Sequence, residues 1–198
     1  MRRALRSGHR FVCRVTRRGI SDVSVGKEAP PACQRLAVIG TGIMAEAIVS
    51  GVLDSGFLSP ANIVTFDVNP KRTQYFIDKF DTEAASSLAE AVANADMVLL
   101  AVKPQNMPSV CNELRPVVPE SATLVTMAAG VPMENLNFAK SVVRIMPNTP
   151  ATIKQGITVW CTSEGVPEDV KKAVAELLSC IGTGKLTTSE FDISFSIN

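Results

Sequence analysis

The chain has 198 residues, of which 46% are hydrophobic and 20% are charged, and its formal net charge is +1. This is the composition of an ordinary globular domain, and it argues against intrinsic disorder. No run of 18 or more apolar residues occurs, which argues against a membrane-spanning helix and a membrane partner.

The charge is unevenly distributed. Residues 1–21 contain seven arginines and no acidic residue, and the remaining 177 residues carry 13 basic and 19 acidic side chains. An acidic body gives no electrostatic reason to bind nucleic acid. Arginines recur every four residues from Arg2 to Arg18, and an arginine-rich, acid-poor amphipathic start is typical of an organellar transit peptide. We therefore expect a mitochondrial location, with the plastid or the cytoplasm as alternatives; a disordered basic tail is the alternative for the segment itself.

Residues 22–34 are interpreted as a linker, because Pro30 and Pro31 prevent a helix from continuing into the next segment. From Arg35 onward, short apolar runs alternate with helical patterns. The runs predict strands at 36–39, 62–66, 97–102, 123–127, 142–145 and 157–161. The helical patterns lie at 43–55, 70–80, 87–94, 105–114 and 167–179, with a short turn after Pro132. This alternation predicts an α/β fold of the Rossmann type, with a doubly wound, mostly parallel sheet and helices on both faces.

The segment "GTGIMA" at 40–45 stands between the first strand and the first helix, and it fits the dinucleotide pattern G-x-G-x-x-A. Gly40 permits the tight turn, Gly42 lets a pyrophosphate approach the backbone, and Ala45 lets the helix pack closely on the sheet. The phosphates would then meet the free N–H groups at the helix start. The hexapeptide alone is a weak signal, but its position between a strand and a helix favours a cofactor cradle. The cradle is predicted to include Ile39, Gly40, Thr41, Gly42, Ile43, Met44 and Ala45.

Asp67 ends the second predicted strand and is placed to accept hydrogen bonds from the adenosine ribose, which would favour NAD. Asn69, Lys71 and Arg72 follow at once and could instead hold a 2′-phosphate, which would favour NADP. A third interpretation is that Asp67 caps the next helix and that the two cations face solvent. The sequence leaves these interpretations open.

Three later segments place further candidate residues at strand ends: "LLAVKPQ" at 99–105, "MAAGVP" at 127–132 and "RIMPNTPATIKQGITVW" at 144–160. In open α/β sheets, ligands bind at this edge. The candidates for cofactor contact are Ala101, Val102, Lys103, Pro104, Ala128, Ala129, Gly130, Asn148 and Thr149. The alternative for Lys103 is a lysine that faces solvent, and the alternative for residues 128–130 is a plain turn. The alternative for the "MPNTP" loop is a rigid connector between strands in which Asn148 bonds its own backbone.

Together with "VIGTGIMAEAI", these segments resemble the N-terminal domain of pyrroline-5-carboxylate reductase over residues 35–192. The resemblance implies hydride transfer from reduced NADP, with reduced NAD as the alternative, to the C=N bond of 1-pyrroline-5-carboxylate, a small imine, giving L-proline. It also implies a homo-oligomeric enzyme. The alternative is a non-catalytic NAD(P)-binding module of the same family. A hydroxy-acid dehydrogenase is disfavoured, because it has no use for the "MPNTP" loop.

In that family a helical second domain follows, introduced by a segment of the SGSGPA type, and it builds the dimer and supplies the expected proton donor. Here the resemblance ends at Asp192, and residues 193–198 ("ISFSIN") diverge. We therefore expect the dimerisation domain to be missing from this chain and assign no catalytic residue.

Five cysteines occur without close pairing, and the single histidine, His9, lies in the leader. This pattern predicts reduced thiols and no metal site.

Overall fold

The computed structural model describes residues 30–187. The predicted transit peptide, residues 22–29 of the predicted linker and the divergent tail lie outside these residues. Within the described range, the strands are β1 (Leu36–Ile39), β2 (Ile63–Phe66), β3 (Glu83–Ala84), β4 (Met97–Leu100), β5 (Thr123–Thr126), β6 (Ser141–Pro147), β7 (Gly156–Thr162) and β8 (Gly182–Leu186). The α-helices there are α1 (Ile43–Asp54), α2 (Pro70–Phe80), α3 (Leu88–Val92), α4 (Met107–Leu114) and α5 (Glu168–Ser179).

The strands form one sheet in the order β3-β2-β1-β4-β5-β6-β7-β8. Strands β1 to β6 are parallel to one another, β7 runs antiparallel to β6, and β8 runs parallel to β7. The chain builds outward from β1 to β3, then crosses back to β4 on the other side of β1. The order therefore reverses between β1 and β4, where α/β sheets of this kind bind their ligands. The predicted Rossmann-type fold is confirmed.

Helices cover both faces of the sheet. On one face Val38 packs in a cluster with residues of α1, α2 and α5, and on the other Ile39 packs with residues of α3 and α4. All four β1 side chains are buried for this reason, as expected of a strand covered on both faces. The helices on both faces thus support the sheet up to the ends of its strands.

Helix boundaries follow local chemistry closely. Helix α2 has the predicted bounds, because Pro70 takes its first position and the Asn69 side chain accepts a hydrogen bond from the Lys71 N–H. Helix α4 begins at Met107 rather than at residue 105, and Pro104–Asn106 forms a 3₁₀ turn instead. Because Pro108 lacks an N–H, it is tolerated only in the first turn of a helix, so α4 starts immediately before it.

The packed domain starts earlier than the sequence indicated. Pro31–Cys33, assigned to the linker, forms a 3₁₀ turn, and the Cys33 side chain is completely buried. The Asp96 carboxylate accepts hydrogen bonds from the N–H groups of Gln34 and Arg35, both at 2.9 Å. These bonds fix the entry into β1, so the linker prediction is wrong for these last residues.

Among residues 30–187, no helix is long and apolar enough to cross a membrane. The same range contains no group of three or more histidine, cysteine or acidic residues that could hold a metal ion.

Candidate cofactor site

A cleft of about 520 Å³ opens at the carboxyl edge of β1, β2 and β4, at the reversal of strand order. Seven of the predicted cofactor residues line it: Ile39, Gly40, Gly42, Asp67, Ala101, Val102 and Lys103. These residues come from three separate segments of the sequence, and the sheet brings them together.

The glycine loop is built as its pattern predicts. Gly40 has a φ of +90°, and a Cβ at this position would lie 2.8 Å from the Ala101 carbonyl oxygen. Glycine is therefore required both by the backbone conformation and by the close approach of Ala101, the residue after β4. Gly42 has an ordinary φ of −73°, and a Cβ there would meet no atom within 4 Å. The space over Gly42 is open toward the cleft, where a phosphate would approach the start of α1.

The other loop residues divide by burial. Ala45 is completely buried, as close packing of helix on sheet requires, and Met44 is half-buried. Ile43 is 74% exposed and does not line the cleft; it borders a separate depression beside α1. Thr41 is completely buried beneath the loop.

Thr41 is held from two sides. The Asp67 carboxylate accepts hydrogen bonds from the Thr41 N–H at 2.8 Å and the Thr41 hydroxyl at 2.9 Å. The Arg72 guanidinium donates to the Thr41 carbonyl oxygen, from Nε at 2.8 Å and from a terminal nitrogen. Hydrogen bonds that involve a charged partner are stronger than neutral ones. These hydrogen bonds therefore fix the backbone of the glycine loop at Thr41.

This arrangement bears on the choice between NAD and NADP. Asp67 lines the cleft, whereas Asn69, Lys71 and Arg72 are not among its lining residues. Arg72 also contacts the Glu46 carboxylate at 3.3 Å and lies over the Tyr75 ring. Sequence reasoning did not foresee Arg72 as a brace for the loop, because this role depends on how α2 packs against α1.

Glu46, on the first turn of α1, collects three donors from α2: the Lys79 ammonium at 2.8 Å, the Tyr75 hydroxyl at 2.7 Å and Arg72. Partial burial would raise the pKa of Glu46, but these three hydrogen bonds outweigh burial and lower the pKa below its ordinary value. The carboxylate therefore stays charged and ties α2 to α1 beside the loop.

Helix α4 adds a wall of the cleft that the sequence analysis missed. Ser109, Val110 and Glu113 of α4 line the cleft together with Asn106, the residue just before the helix, at positions i, i+3, i+4 and i+7. This i, i+3, i+4, i+7 pattern marks one face of a helix. The signal was present in the sequence, since the stripe directly follows the strand-end segment "AVKP". Pro104 starts the intervening 3₁₀ turn and is not among the lining residues.

The remaining predicted residues lie farther along the same edge of the sheet, outside this cleft. Ala128 is buried, and Ala129 and Gly130 are exposed in the loop after β5. Asn148 and Thr149 follow β6, and the Asn148 side-chain oxygen accepts a hydrogen bond from the Ile157 N–H at 2.9 Å. Asn148 thus joins the end of β6 to the start of β7. Contact of these five residues with a cofactor stays a prediction.

The reversed strand order, the glycine loop and the cleft define a dinucleotide-binding domain of the Rossmann type. Residues 35–130 match the family described as NADP oxidoreductase, coenzyme F420-dependent. A pyrroline-5-carboxylate reductase from Pseudomonas aeruginosa is 36% identical over 152 residues, which cover 75% of this chain and 55% of that protein. Over the part that aligns, the chain is similar to pyrroline-5-carboxylate reductases.

Solved structures show the same fold. A pyrroline-5-carboxylate reductase from Coxiella burnetii matches with a TM-score of 0.76 and 28% identity, over 82% of this chain and 61% of that chain. The pyrroline carboxylate reductase of Plasmodium falciparum, solved with NADP bound, matches with a TM-score of 0.72 and 23% identity, over 82% of this chain and 60% of that one. The chain spans about half the length of the curated relatives that it matches.

Proposed function

We propose that this chain is the cofactor domain of an NAD(P)H-dependent reductase that converts 1-pyrroline-5-carboxylate to L-proline. The observation that carries the proposal is the braced glycine loop at the cleft, in a chain 36% identical over 152 residues to a pyrroline-5-carboxylate reductase. The reduced cofactor would supply the hydride, and the protein would hold it and exclude water. The reaction also needs a proton for the imine nitrogen, and we assign no residue to that role.

We propose NADP as the cofactor, with NAD as the alternative. The NADP bound in the Plasmodium falciparum relative supports this choice. The N-terminus of α2, with the exposed Lys71, directly follows Asp67 and adds positive charge on the side where a 2′-phosphate would lie. The Asp67 carboxylate in the cleft opposes the choice, because it would repel that phosphate.

The test uses the purified 198-residue chain in two measurements. Calorimetric titration gives the affinities for NADPH and NADH, and a steady-state assay with 1-pyrroline-5-carboxylate follows oxidation of each reduced cofactor. Binding with turnover supports the reductase. Binding without turnover supports a non-catalytic NAD(P)-binding module, and absence of binding by folded protein overturns both.

The cellular location and the assembly are further parts of the proposal. The arginine-rich start supports import into mitochondria, with plastids and the cytoplasm as alternatives. A fluorescent reporter fused behind residues 1–34 tests this, and a diffuse cytosolic signal would contradict import. Sedimentation of the purified chain would test homo-oligomerisation, which the resemblance implies.

A further inference from the structure

A buried arginine braces the loop that follows β5. Arg144 lies on β6 and is only 5% exposed. Its guanidinium donates to the Ala128 carbonyl oxygen at 2.8 Å and to the Val131 carbonyl oxygen. The two acceptors stand on either side of Ala129 and Gly130, so one side chain fixes both ends of this exposed turn.

A charge in this place is costly. Taking a guanidinium out of water is unfavourable unless hydrogen bonds replace the lost hydration, and an apolar residue would fill the same space without that cost. The acceptors named above are backbone carbonyl groups of one loop. The arginine therefore does more than fill the core: it sets the path of residues 128–131.

The position of this loop connects it to the cofactor. In the sheet, Thr126 pairs with Leu100 of β4 on one side and with Arg144 of β6 on the other. A dinucleotide crosses such a sheet at the reversal of strand order, with one mononucleotide on each side. Asp67 marks the adenosine side, over β1 to β3, so the nicotinamide half extends over β4 to β6. The loop 128–131 lies on that second side.

Gly130 shows that the turn needs a particular shape. Its φ is +72°, in the left-handed region that side chains disfavour, although a Cβ there would meet no atom within 4 Å. The backbone conformation, and not lack of space, therefore requires glycine here.

We propose that Arg144 is a positioning residue, which holds the loop 128–131 in the shape that receives the nicotinamide half of the cofactor. This inference rests on the proposed function, since it assumes that a nicotinamide dinucleotide binds in the cleft.

The test compares two ligands on the full chain: NADPH, and 2′-phosphoadenosine diphosphoribose, which lacks the nicotinamide. Arg144→Lys keeps the charge but loses the planar two-pronged donor. We expect it to weaken NADPH binding roughly tenfold, the loss typical of one hydrogen bond to a charged group, and to leave binding of the fragment unchanged. Arg115→Lys is the matched control, because Arg115 is exposed and its guanidinium lies over the Phe138 ring.

Each outcome decides a different question. If the wild-type chain binds neither ligand, the proposed function fails. If it binds both and Arg144→Lys weakens neither, or weakens both equally, the positioning role is overturned. Should Arg144→Lys not fold, Gly130→Ala strains the same loop without a steric clash; selective loss of NADPH binding supports the proposal, and unchanged binding overturns it.

Discussion

Alanine at Gly42 and alanine at Gly40 should separate cofactor binding from folding. The two glycines stand two residues apart in one loop, and the substitution adds the same single methyl group at each. Gly42 has an ordinary backbone conformation with open space around it, whereas Gly40 has a left-handed backbone and lies against Ala101. We expect Gly42→Ala to fold and to lose cofactor affinity, and Gly40→Ala to lose stability.

The magnitudes follow from the two environments. Left-handed backbone at Gly40 costs an alanine about 1–2 kcal/mol, and the contact of 2.8 Å with the Ala101 carbonyl adds about 1–3 kcal/mol of overpacking, so the free energy of unfolding should fall by about 2–5 kcal/mol. At Gly42 neither cost applies, and loss of chain entropy in the unfolded state should even stabilise by about 0.4–1 kcal/mol.

Cofactor affinity should respond in the opposite order. A methyl group over Gly42 would occupy the space where the pyrophosphate approaches the backbone. Crowding of about 1–3 kcal/mol corresponds to a loss of affinity of about 5- to 150-fold. Urea unfolding can be followed through the fluorescence of Trp160, the single tryptophan, which is 3% exposed and will be released to water. Calorimetric titration with NADPH gives the affinity of each folded variant.

Two results would refute this reasoning. If Gly42→Ala destabilises the chain as much as Gly40→Ala does, the folded chain has no open space for a methyl group at Gly42. If folded Gly42→Ala binds NADPH as tightly as the wild-type chain, the phosphates do not pass over Gly42, and the cradle assignment fails.

Three further predictions concern acidic residues. Asp67→Asn removes a negative charge from the cleft and should raise the ratio of NADPH to NADH affinity by about 1 kcal/mol, roughly fivefold, in paired titrations. Glu46→Gln should lower the free energy of unfolding above pH 4.5, the ordinary pKa of Glu46, because the lowered pKa of the folded state adds stability in that range. In urea unfolding at several pH values, the difference in unfolding free energy between wild type and Glu46→Gln should shrink as the pH falls below 4.5. Asp81→Gly should stabilise the chain by about 0.5–1 kcal/mol in urea unfolding, because Asp81 ends α2 with a left-handed φ of 57°.

The contrary outcomes are equally specific. An unchanged cofactor ratio in Asp67→Asn would mean that the carboxylate lies away from the 2′ position. A Glu46→Gln effect that stays constant down to acid pH would mean that the carboxylate has no lowered pKa. Loss of stability in Asp81→Gly would contradict the argument that the left-handed backbone at Asp81 is strained. The control is Asp78→Gly inside α2, which should destabilise the chain by about 1 kcal/mol.

The sequence predicts most of the sheet because the signals are local. Strand β1 and helix α1 meet at a turn that only glycine can make, and Pro70 with Asn69 marks the start of α2. Strand β8 ("GTGKL") gives no such signal, because all of its residues except Leu186 are polar or glycine and most are exposed. A strand at the edge of a sheet needs few apolar side chains, so periodicity gives it no signal.

The direction of β7 shows how one boundary error hides a larger feature. The predicted strands at 142–145 and 157–161 leave eleven residues between them, close to the dozen that a parallel crossover needs. In the structure β6 continues to Pro147 and β7 begins at Gly156, so only eight residues connect them, and the strands are antiparallel. The extra length of β6 comes from pairing with β7 itself, in the register Pro147 to Thr158. A contact between distant residues therefore decides the boundary.

The same limit applies to the candidate site. Gly40 and Gly42 can be assigned from the sequence because their roles depend on the backbone of their own loop. The roles of Arg72 and Arg144 depend on which carbonyl groups the fold brings within their reach. The sequence suggested Arg72 as a phosphate ligand, and nothing in it distinguishes that role from a hydrogen bond to Thr41. Both arginines donate to backbone oxygens of loops at the carboxyl edge of the sheet, one after β1 and the other after β5. Two buried or half-buried cations thus fix the backbone on either side of the reversal point, and among residues 30–187 the exposed Lys103 is left as the basic side chain that lines the cleft.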